Sequence, residues 1–406
     1  MYRNSVPFGC LLLELYFISD KSGWWNLYRF EGEVHQVLAR DAEFGAPQWA
    51  FGMSTYAFVS EKTIACTYFD GKGWQLATID TEDGALKDLK TDYSVIRQLR
   101  ARGSELAFVG ASPSRMPEIL TYDLETGRAT VLKQTTTMQM DEGYLSIPEA
   151  ISFPTEDGEE AHAYLYRPKN KDYQGPENEH PPLVVFSHGG PTGATSPELN
   201  LGKQFWTSRG WGVVDVNYGG SSGFGRSYRE RLNNGWGVVD VQDCAAAATT
   251  LVQAGKAHPE RIAIEGGSAG GFTTLACLCF TDVFRVGACR YAVSDLSALA
   301  KETHRFEARY LDTLVGRWPQ EQSHYEERSP LQHADRIRCP VIFFQGLQDK
   351  VVVPEQTERM AAALRAKGIP VDVQTFAEEG HGFRDSAVKV QVLEATEAFF
   401  RHHLGL

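Results

Sequence analysis

Arg261-Ile262-Ala263-Ile264-Glu265-Gly266-Gly267-Ser268-Ala269-Gly270-Gly271 joins a short apolar run to a Thr/Leu/Ala-rich stretch, with one serine set among glycines at the junction. The run reads as a buried strand and the stretch after it as a helix. A strand that turns into a helix through Gly-x-Ser-x-Gly lifts the serine hydroxyl above the sheet. It also leaves the next backbone N–H free to bind an oxyanion, and only glycine fits beside so sharp a turn. The pentapeptide alone is a weak signal, because with 38 glycines in 406 residues about one serine in a hundred is flanked this way by chance. The surrounding sequence decides.

Two later apolar runs end in the residues such a serine needs. Cys339-Pro340-Val341-Ile342-Phe343-Phe344-Gln345-Gly346 leads to Asp349, and Val371-Asp372-Val373-Gln374-Thr375-Phe376 leads through Glu378-Glu379-Gly380 to His381. The order Ser, Asp, His, at separations of 81 and 32 residues, leaves room for a helix and a strand between members. A serine hydroxyl is a poor nucleophile at neutral pH. His381 is therefore expected to take its proton and pass it to the leaving group, and Asp349 to hold the imidazole tautomer. Upstream, Pro182-Leu183-Val184-Val185-Phe186-Ser187 reads as a buried strand that opens into His188-Gly189-Gly190-Pro191. The expected oxyanion donors are Gly190 N–H and Ala269 N–H. Asp295, which closes Tyr291-Ala292-Val293-Ser294-Asp295, competes with Asp349 as the acid, and ten other histidines compete with His381. Of these, His188 reads as a brace for the oxyanion turn, His304 lies in a charged helical stretch, and His402 and His403 end the chain. Glu378 and Glu379 read as a solvated turn. The pattern predicts a serine hydrolase.

The predicted fold class is α/β, an α/β-hydrolase doubly wound sheet preceded by a partial β-propeller, with domains at 1–137 and 138–406. An opening hairpin spans Glu149 to Pro168 around Asp157-Gly158. Strands expected at 183–187, 212–217, 261–265, 286–293, 340–345 and 371–376 alternate with helices near 240–255, 269–280, 354–367 and 386–403. Ser268, Asp349, His381 and Gly190 all fall at the carboxyl ends of strands, where open α/β sheets bind ligands. In the first 137 residues, Trp25-Asn26-Leu27-Tyr28-Arg29-Phe30, Trp74-Gln75-Leu76-Ala77-Thr78-Ile79-Asp80 and Glu118-Ile119-Leu120-Thr121-Tyr122-Asp123 align, with Leu27, Leu76 and Leu120 at intervals of 49 and 44 residues. Each follows another strand-like run and precedes a glycine turn, as propeller blades do; the alternative is an unrelated β-sheet domain. Three blades cannot close a ring that needs about four to eight. The chain is therefore expected to be incomplete at its N-terminus, or else to keep an open edge covered by a partner. Unpaired N–H and C=O groups on that edge would favour self-association of copies.

From about Pro148 onward the sequence resembles the peptidase domain of the prolyl oligopeptidase family, nearest its acylaminoacyl-peptidase and dipeptidyl-peptidase-like branch. The resemblance rests on Ser187 to Pro191, Asn217-Tyr218-Gly219-Gly220-Ser221-Ser222-Gly223-Phe224-Gly225, Gly266 to Gly271, Gln345 to Asp349 and Glu379 to Phe383, in that order. It implies α/β-hydrolase catalysis on short peptides, with Ser268, Asp349 and His381 matching the family's triad and Gly190 and Ala269 its oxyanion donors. Relatives carry a whole propeller, which restricts entry of large substrates. One departure is Gly219, where relatives commonly have arginine, so the pairing made by that arginine is expected to be missing.

A net charge of −12 lacks the basic footprint of a nucleic-acid or anionic-membrane partner. Short peptides are the expected substrate partner, with no cofactor and no metal. Cysteines 10, 66, 244, 277, 279, 289 and 339 form an odd, scattered set, which reads as reduced core thiols, and Cys277 and Cys279 are too close for a usual zinc knuckle. Val6 to Ile18 is apolar, but Glu14 interrupts it, no small-residue cleavage site follows, and it is too short to span a bilayer. A cytoplasmic location is expected. The leading function is a serine peptidase acting on short or N-terminally blocked peptides through an acyl-enzyme. Its competitors are a carboxylesterase and a binding protein left catalytically incompetent by missing blades. Arg305, Phe306, Arg309, Tyr310 and Trp318 are either substrate contacts or helix packing and a solvated face.

Overall fold

A computed structural model describes residues 14–48, 51–303 and 305–406. Of the residues singled out above, Val6 to Leu13 (Cys10 among them) and His304 lie outside the described set. The chain divides into two compact units. One holds the described residues up to Glu142 together with Ser196–Asn200 and Ser222–Arg229, and the other holds the rest.

The larger unit is built on eight strands: β1 (Glu149–Pro154), β2 (Glu160–Tyr166), β3 (Leu183–Ser187), β4 (Gly212–Asn217), β5 (Ile262–Gly267), β6 (Val286–Arg290), β7 (Val341–Gly346) and β8 (Val371–Phe376). They lie in the order β1-β2-β4-β3-β5-β6-β7-β8, antiparallel where β2 meets β1 and β4, and parallel from β4 to β8. Strand residues alternate between two cores, as a period of two requires. Val185, Val214, Ile264 and Phe343 join one core with Val241, Phe272 and Met360 from the helices Val239–Gln253, Ala269–Phe280 and Pro354–Ala366. Val184, Val213, Ala263 and Phe344 join the other with Trp206 and Phe400 from Leu201–Thr207 and Ser386–Leu404. Burial on both faces explains why the central strands read as unbroken apolar runs. Trp206 stacks on Phe400 at 5.6 Å and meets Trp211 edge-on at 5.0 Å. Each such ring adds about 1.5–3 kcal/mol by burial.

Strand β6 is shorter than expected. It ends at Arg290 because Tyr291 takes φ 38° and turns the chain off the sheet. Asp295 therefore does not close a strand. It caps the helix Leu296–Glu302, its carboxylate accepting from Ser297 N–H at 3.0 Å and Ala298 N–H at 3.1 Å.

The smaller unit is a partial β-propeller of three antiparallel meanders among the described residues. The first has strands Leu15–Ser19, Asn26–Glu31 and Glu33–Gln36. The second has Tyr56–Phe58, Thr63–Phe69, Trp74–Asp80 and Leu86–Leu89, and the third Val95–Arg102, Glu105–Ser112, Arg115–Asp123 and Arg128–Gln134. Leu27, Leu76 and Leu120 are all buried, so the repeat marks one inward position per blade. Neighbouring blades share cores: Tyr16 and Leu27 pack with Ile64 and Ile79, and Ala65 and Leu76 with Ile96 and Leu120. Ser222–Arg229 joins this unit through charge. Arg229 bonds both Asp20 and the buried Glu43 and lies 4.0 Å over the Trp25 ring, while Arg226 pairs with Asp20. Among the described residues, no helix is long and apolar enough to cross a membrane. Cys66, Cys244, Cys277, Cys279 and Cys289 are buried and, with Cys339, unbridged.

Candidate active site

Ser268 sits between β5 and the helix Ala269–Phe280 with φ 57° and ψ −123°, a conformation costly for any residue but glycine. The surroundings hold it there. Its N–H donates to the Arg290 carbonyl at the end of β6 (3.0 Å), and its own carbonyl accepts from Phe272 N–H (3.0 Å). The flanking glycines answer to space: a Cβ on Gly266 would lie 2.3 Å from the Gly270 carbonyl oxygen, and one on Gly270 would lie 2.1 Å from that of Ser187.

The structure brings the predicted serine, histidine and aspartate together. His381 Nε2 lies 3.0 Å from Ser268 Oγ and its Nδ1 lies 2.8 Å from Asp349 Oδ2. The Asp349 side chain is fully buried, and its Oδ1 accepts from Val351 N–H (2.8 Å) and Val352 N–H (3.0 Å). Asp295 is not part of this group; it pairs with Arg359 at 3.3 Å. The loops bearing Asp349 and His381 are stitched together, with Leu347 N–H donating to Phe376 O and Gln348 N–H to Glu379 O, both at 2.9 Å.

Glu379 is not solvated, in contrast to its sequence reading. It is buried, and its two carboxylate oxygens accept from Arg384 N–H (2.9 Å) and Asp385 N–H (2.8 Å), closing the turn that carries His381. Glu378 is exposed. Tyr291, read as a strand residue, lays its ring 4.8 Å from the His381 ring and 5.2 Å from Phe383.

The turn after β3 lies against Ser268; a Cβ on Gly189 would stand 3.7 Å from Ser268 Cβ. Gly190 has φ 125°, and Ala269 opens the helix that follows Ser268. His188 Nδ1 lies 2.8 Å from the Gly189 carbonyl and Nε2 2.7 Å from Ser221 Oγ, while its ring stacks on buried Tyr218 at 4.3 Å. Burial lowers the His188 pKa and favours the neutral imidazole. A carbonyl can only accept, so Nδ1 carries the proton and Ser221 donates to Nε2. The Tyr218 hydroxyl stands 3.0 Å from the carbonyls of both His188 and Pro191.

Gly219, where relatives were expected to carry arginine, lies beside Val239 and Arg231: a Cβ there would stand 2.7 Å from Val239 Cγ1 and 3.1 Å from Arg231 Nε. Arg231 approaches Asp243 at 3.9 Å, and Gly219 N–H donates to Asp243 at 2.7 Å. Burial raises the pKa of Asp243, and of neighbouring Asp240, to about 6.

The five pocket candidates divide. Phe306 is 74% exposed and Arg309 pairs with Asp312 at the surface. Arg305 is exposed, and Trp318 packs on Tyr325 at 5.0 Å. Tyr310 reaches the turn after β3, its hydroxyl 3.1 Å from the Gly190 carbonyl and 2.5 Å from Thr192 Oγ1. Tyr218 and Ser221 fall in a quoted motif with no role assigned. For Glu379 and Tyr291 the sequence carries no signal that separates them from loop and strand residues.

Residues 197–406 match the family profile described as "Prolyl oligopeptidase family". The dipeptidyl aminopeptidase BIII of Pseudoxanthomonas mexicana is 30% identical over 293 residues, which is 70% of this chain and 42% of that protein. A puromycin-hydrolyzing peptidase of Mycobacterium tuberculosis superposes with a TM-score of 0.94 at 44% identity, over 97% of this chain and 60% of that one. A puromycin hydrolase mutant in complex with PGG gives 0.93 and 41%, over the same shares. The chain thus spans less than two thirds of the length of each.

Proposed function

Because the chain belongs to the prolyl oligopeptidase family, we propose that it is a serine peptidase that hydrolyses short or N-terminally blocked peptides through an acyl-enzyme on Ser268. The observation that carries this reading is the unbroken hydrogen-bond chain Ser268–His381–Asp349 at 3.0 and 2.8 Å. Ser268 Oγ attacks the scissile carbonyl carbon as its proton passes to His381 Nε2. Asp349 keeps the other ring proton on Nδ1 and stabilises the imidazolium. The oxyanion is received by the N–H groups of Gly190 and Ala269. Collapse expels the amine, which takes its proton from His381. Water then repeats the sequence on the acyl-serine, releasing the acid and restoring Ser268. The same reading divides the chain into a propeller part, 1–137, and a peptidase part, 138–406.

The test is turnover of aminoacyl and N-acetyl-aminoacyl p-nitroanilides, with fluorophosphonate labelling, on the wild type and on Ser268→Ala and His381→Ala. Each substitution should remove about 10⁴ to 10⁶ of turnover with folding intact. Labelling that survives in Ser268→Ala would overturn the nucleophile.

A second reading is favoured by the 44% identity to a puromycin-hydrolyzing peptidase. The amide cleaved would then be that of an aminoacyl nucleoside. Competition between puromycin and a blocked peptide for the same site separates the two, because the better substrate has the higher kcat/KM.

A further inference from the structure

The oxyanion turn is held by its carbonyls. From His188 to Pro191, four successive carbonyls meet the hydroxyl of Tyr218, the imidazole of His188, the hydroxyl of Tyr310 and again that of Tyr218. Gly190 is the flexible point in this row. At φ 125° it has no side chain to select a conformation, so its geometry depends on what pins the peptides before and after it. The peptide before it, whose N–H is the oxyanion donor, is pinned at the Gly189 carbonyl by His188. The peptide after it is pinned at the Gly190 carbonyl by Tyr310.

We propose that Tyr310 is a positioning residue for the oxyanion donor: its hydroxyl, with His188, fixes the two peptides that set φ and ψ of Gly190. Tyr310 donates its one hydroxyl hydrogen to the Gly190 carbonyl and accepts from Thr192 N–H (3.3 Å) and Thr192 Oγ1 (2.5 Å). Its base is firm. The helix Tyr310–Leu314 buries Leu311 and Leu314, and its last carbonyls accept from Asn234 N–H (2.8 Å, to Thr313) and Trp236 N–H (3.2 Å, to Leu314).

This inference rests on reading Gly190 N–H as a donor to the oxyanion, and the experiment keeps the two apart. Tyr310→Phe keeps the ring and removes only the hydroxyl. Deleting a direct oxyanion donor costs about 10² to 10³ in kcat, so loosening one should cost on the order of tenfold. KM should stay within about twofold. Affinity for a peptide trifluoromethyl ketone, which forms a tetrahedral adduct on the serine, should fall in proportion to kcat. The shape of the pH–rate profile should not change, whereas damage to the hydrogen-bond chain Ser268–His381–Asp349 would change it. An unchanged kcat overturns the proposal. So does a raised KM at unchanged kcat, which would make Tyr310 a substrate contact. If the wild type forms no adduct and Ser268→Ala keeps its activity, the peptidase reading fails and this inference with it.

Discussion

Asp349 reaches His381 with one carboxylate oxygen only: Oδ2 lies 2.8 Å from Nδ1, while Oδ1 is committed to the N–H groups of Val351 and Val352. That division fixes what an amide would do here. In Asp349→Asn the amide oxygen must stay with the two backbone donors, which turns the NH₂ toward Nδ1. Nδ1 must then accept, the ring proton moves to Nε2, and His381 loses the lone pair that receives the serine proton. The expected loss is about 10⁴ in kcat with KM little changed.

Asp295→Asn serves as the contrast. It weakens a helix cap and the pair with Arg359 but touches neither ring nitrogen, so the kcat loss should stay below about tenfold. Steady-state kinetics on both variants would decide, and the reverse order of losses would make Asp295 the triad acid.

Glu379 closes the turn that carries His381, so Glu379→Ala removes the carboxylate that accepts from Arg384 N–H and Asp385 N–H. A hydrogen bond to a charged group contributes about 1.5–3 kcal/mol, so losing two should make the variant melt measurably lower and lose kcat. Glu379→Gln keeps one acceptor oxygen and should fall between. Equal melting temperatures for all three proteins would return Glu379 to the status of a surface residue.

That Ser268, His381 and Asp349 would meet was legible because each carries a local signal: a strand, a tight turn and one polar residue, three times over. The unbroken apolar runs of β3, β5 and β7 likewise announced two-sided burial. The order in which strands pair left no trace in periodicity, since β3 and β4 look alike whichever lies next to β5. The supports of the site were illegible for a different reason. Tyr310 and Gly190 are 120 residues apart, and no spacing rule links a phenol to a distant carbonyl. Glu379 was misread because a carboxylate that caps N–H groups in its own loop looks, in sequence, like one that faces water. Tyr291 was assigned to a strand because apolar composition continues past the point where φ turns positive.

Asp240 and Asp243 give the fold a pH dependence of defined sign. Burial, the largest cause in both, raises each carboxyl from 3.8 to about 6. The folded chain therefore holds these protons more tightly than the unfolded chain. Their contribution to stability is full below about pH 4 and lost as pH rises through about 6. Asp240→Asn should remove its share. Thr273 Oγ1, now 2.5 Å from Asp240 Oδ2, can accept from the amide and donate instead to the Ala269 carbonyl at 3.2 Å. Thermal melts of both proteins from pH 4.5 to 7.5 should show the variant gaining on the wild type as pH rises. A gain in the opposite direction would reverse the assigned shift.

Gly270 leaves no room for a side chain where β5 turns into the helix that follows Ser268. A Cβ on Gly270 would stand 2.1 Å from the Ser187 carbonyl oxygen and 2.9 Å from that of His188, both backbone atoms at the end of β3. Neither can retreat without moving the turn His188–Pro191 or breaking the pairing of β3 with β5, in which Ser187 sits opposite Gly266. Gly270→Ala should therefore destabilise the hydrolase unit by several times the ~1 kcal/mol typical of a point mutation, and should expose the elbow to limited proteolysis. Gly175 is the control, because a Cβ there meets nothing within 4 Å and its backbone is not left-handed. Gly175→Ala should melt at or slightly above the wild type, since it narrows the unfolded ensemble at no native cost. If Gly270→Ala folds and turns over substrate like Gly175→Ala, the helix does not start hard against β3, and the tightness of the elbow is not what presents Ser268.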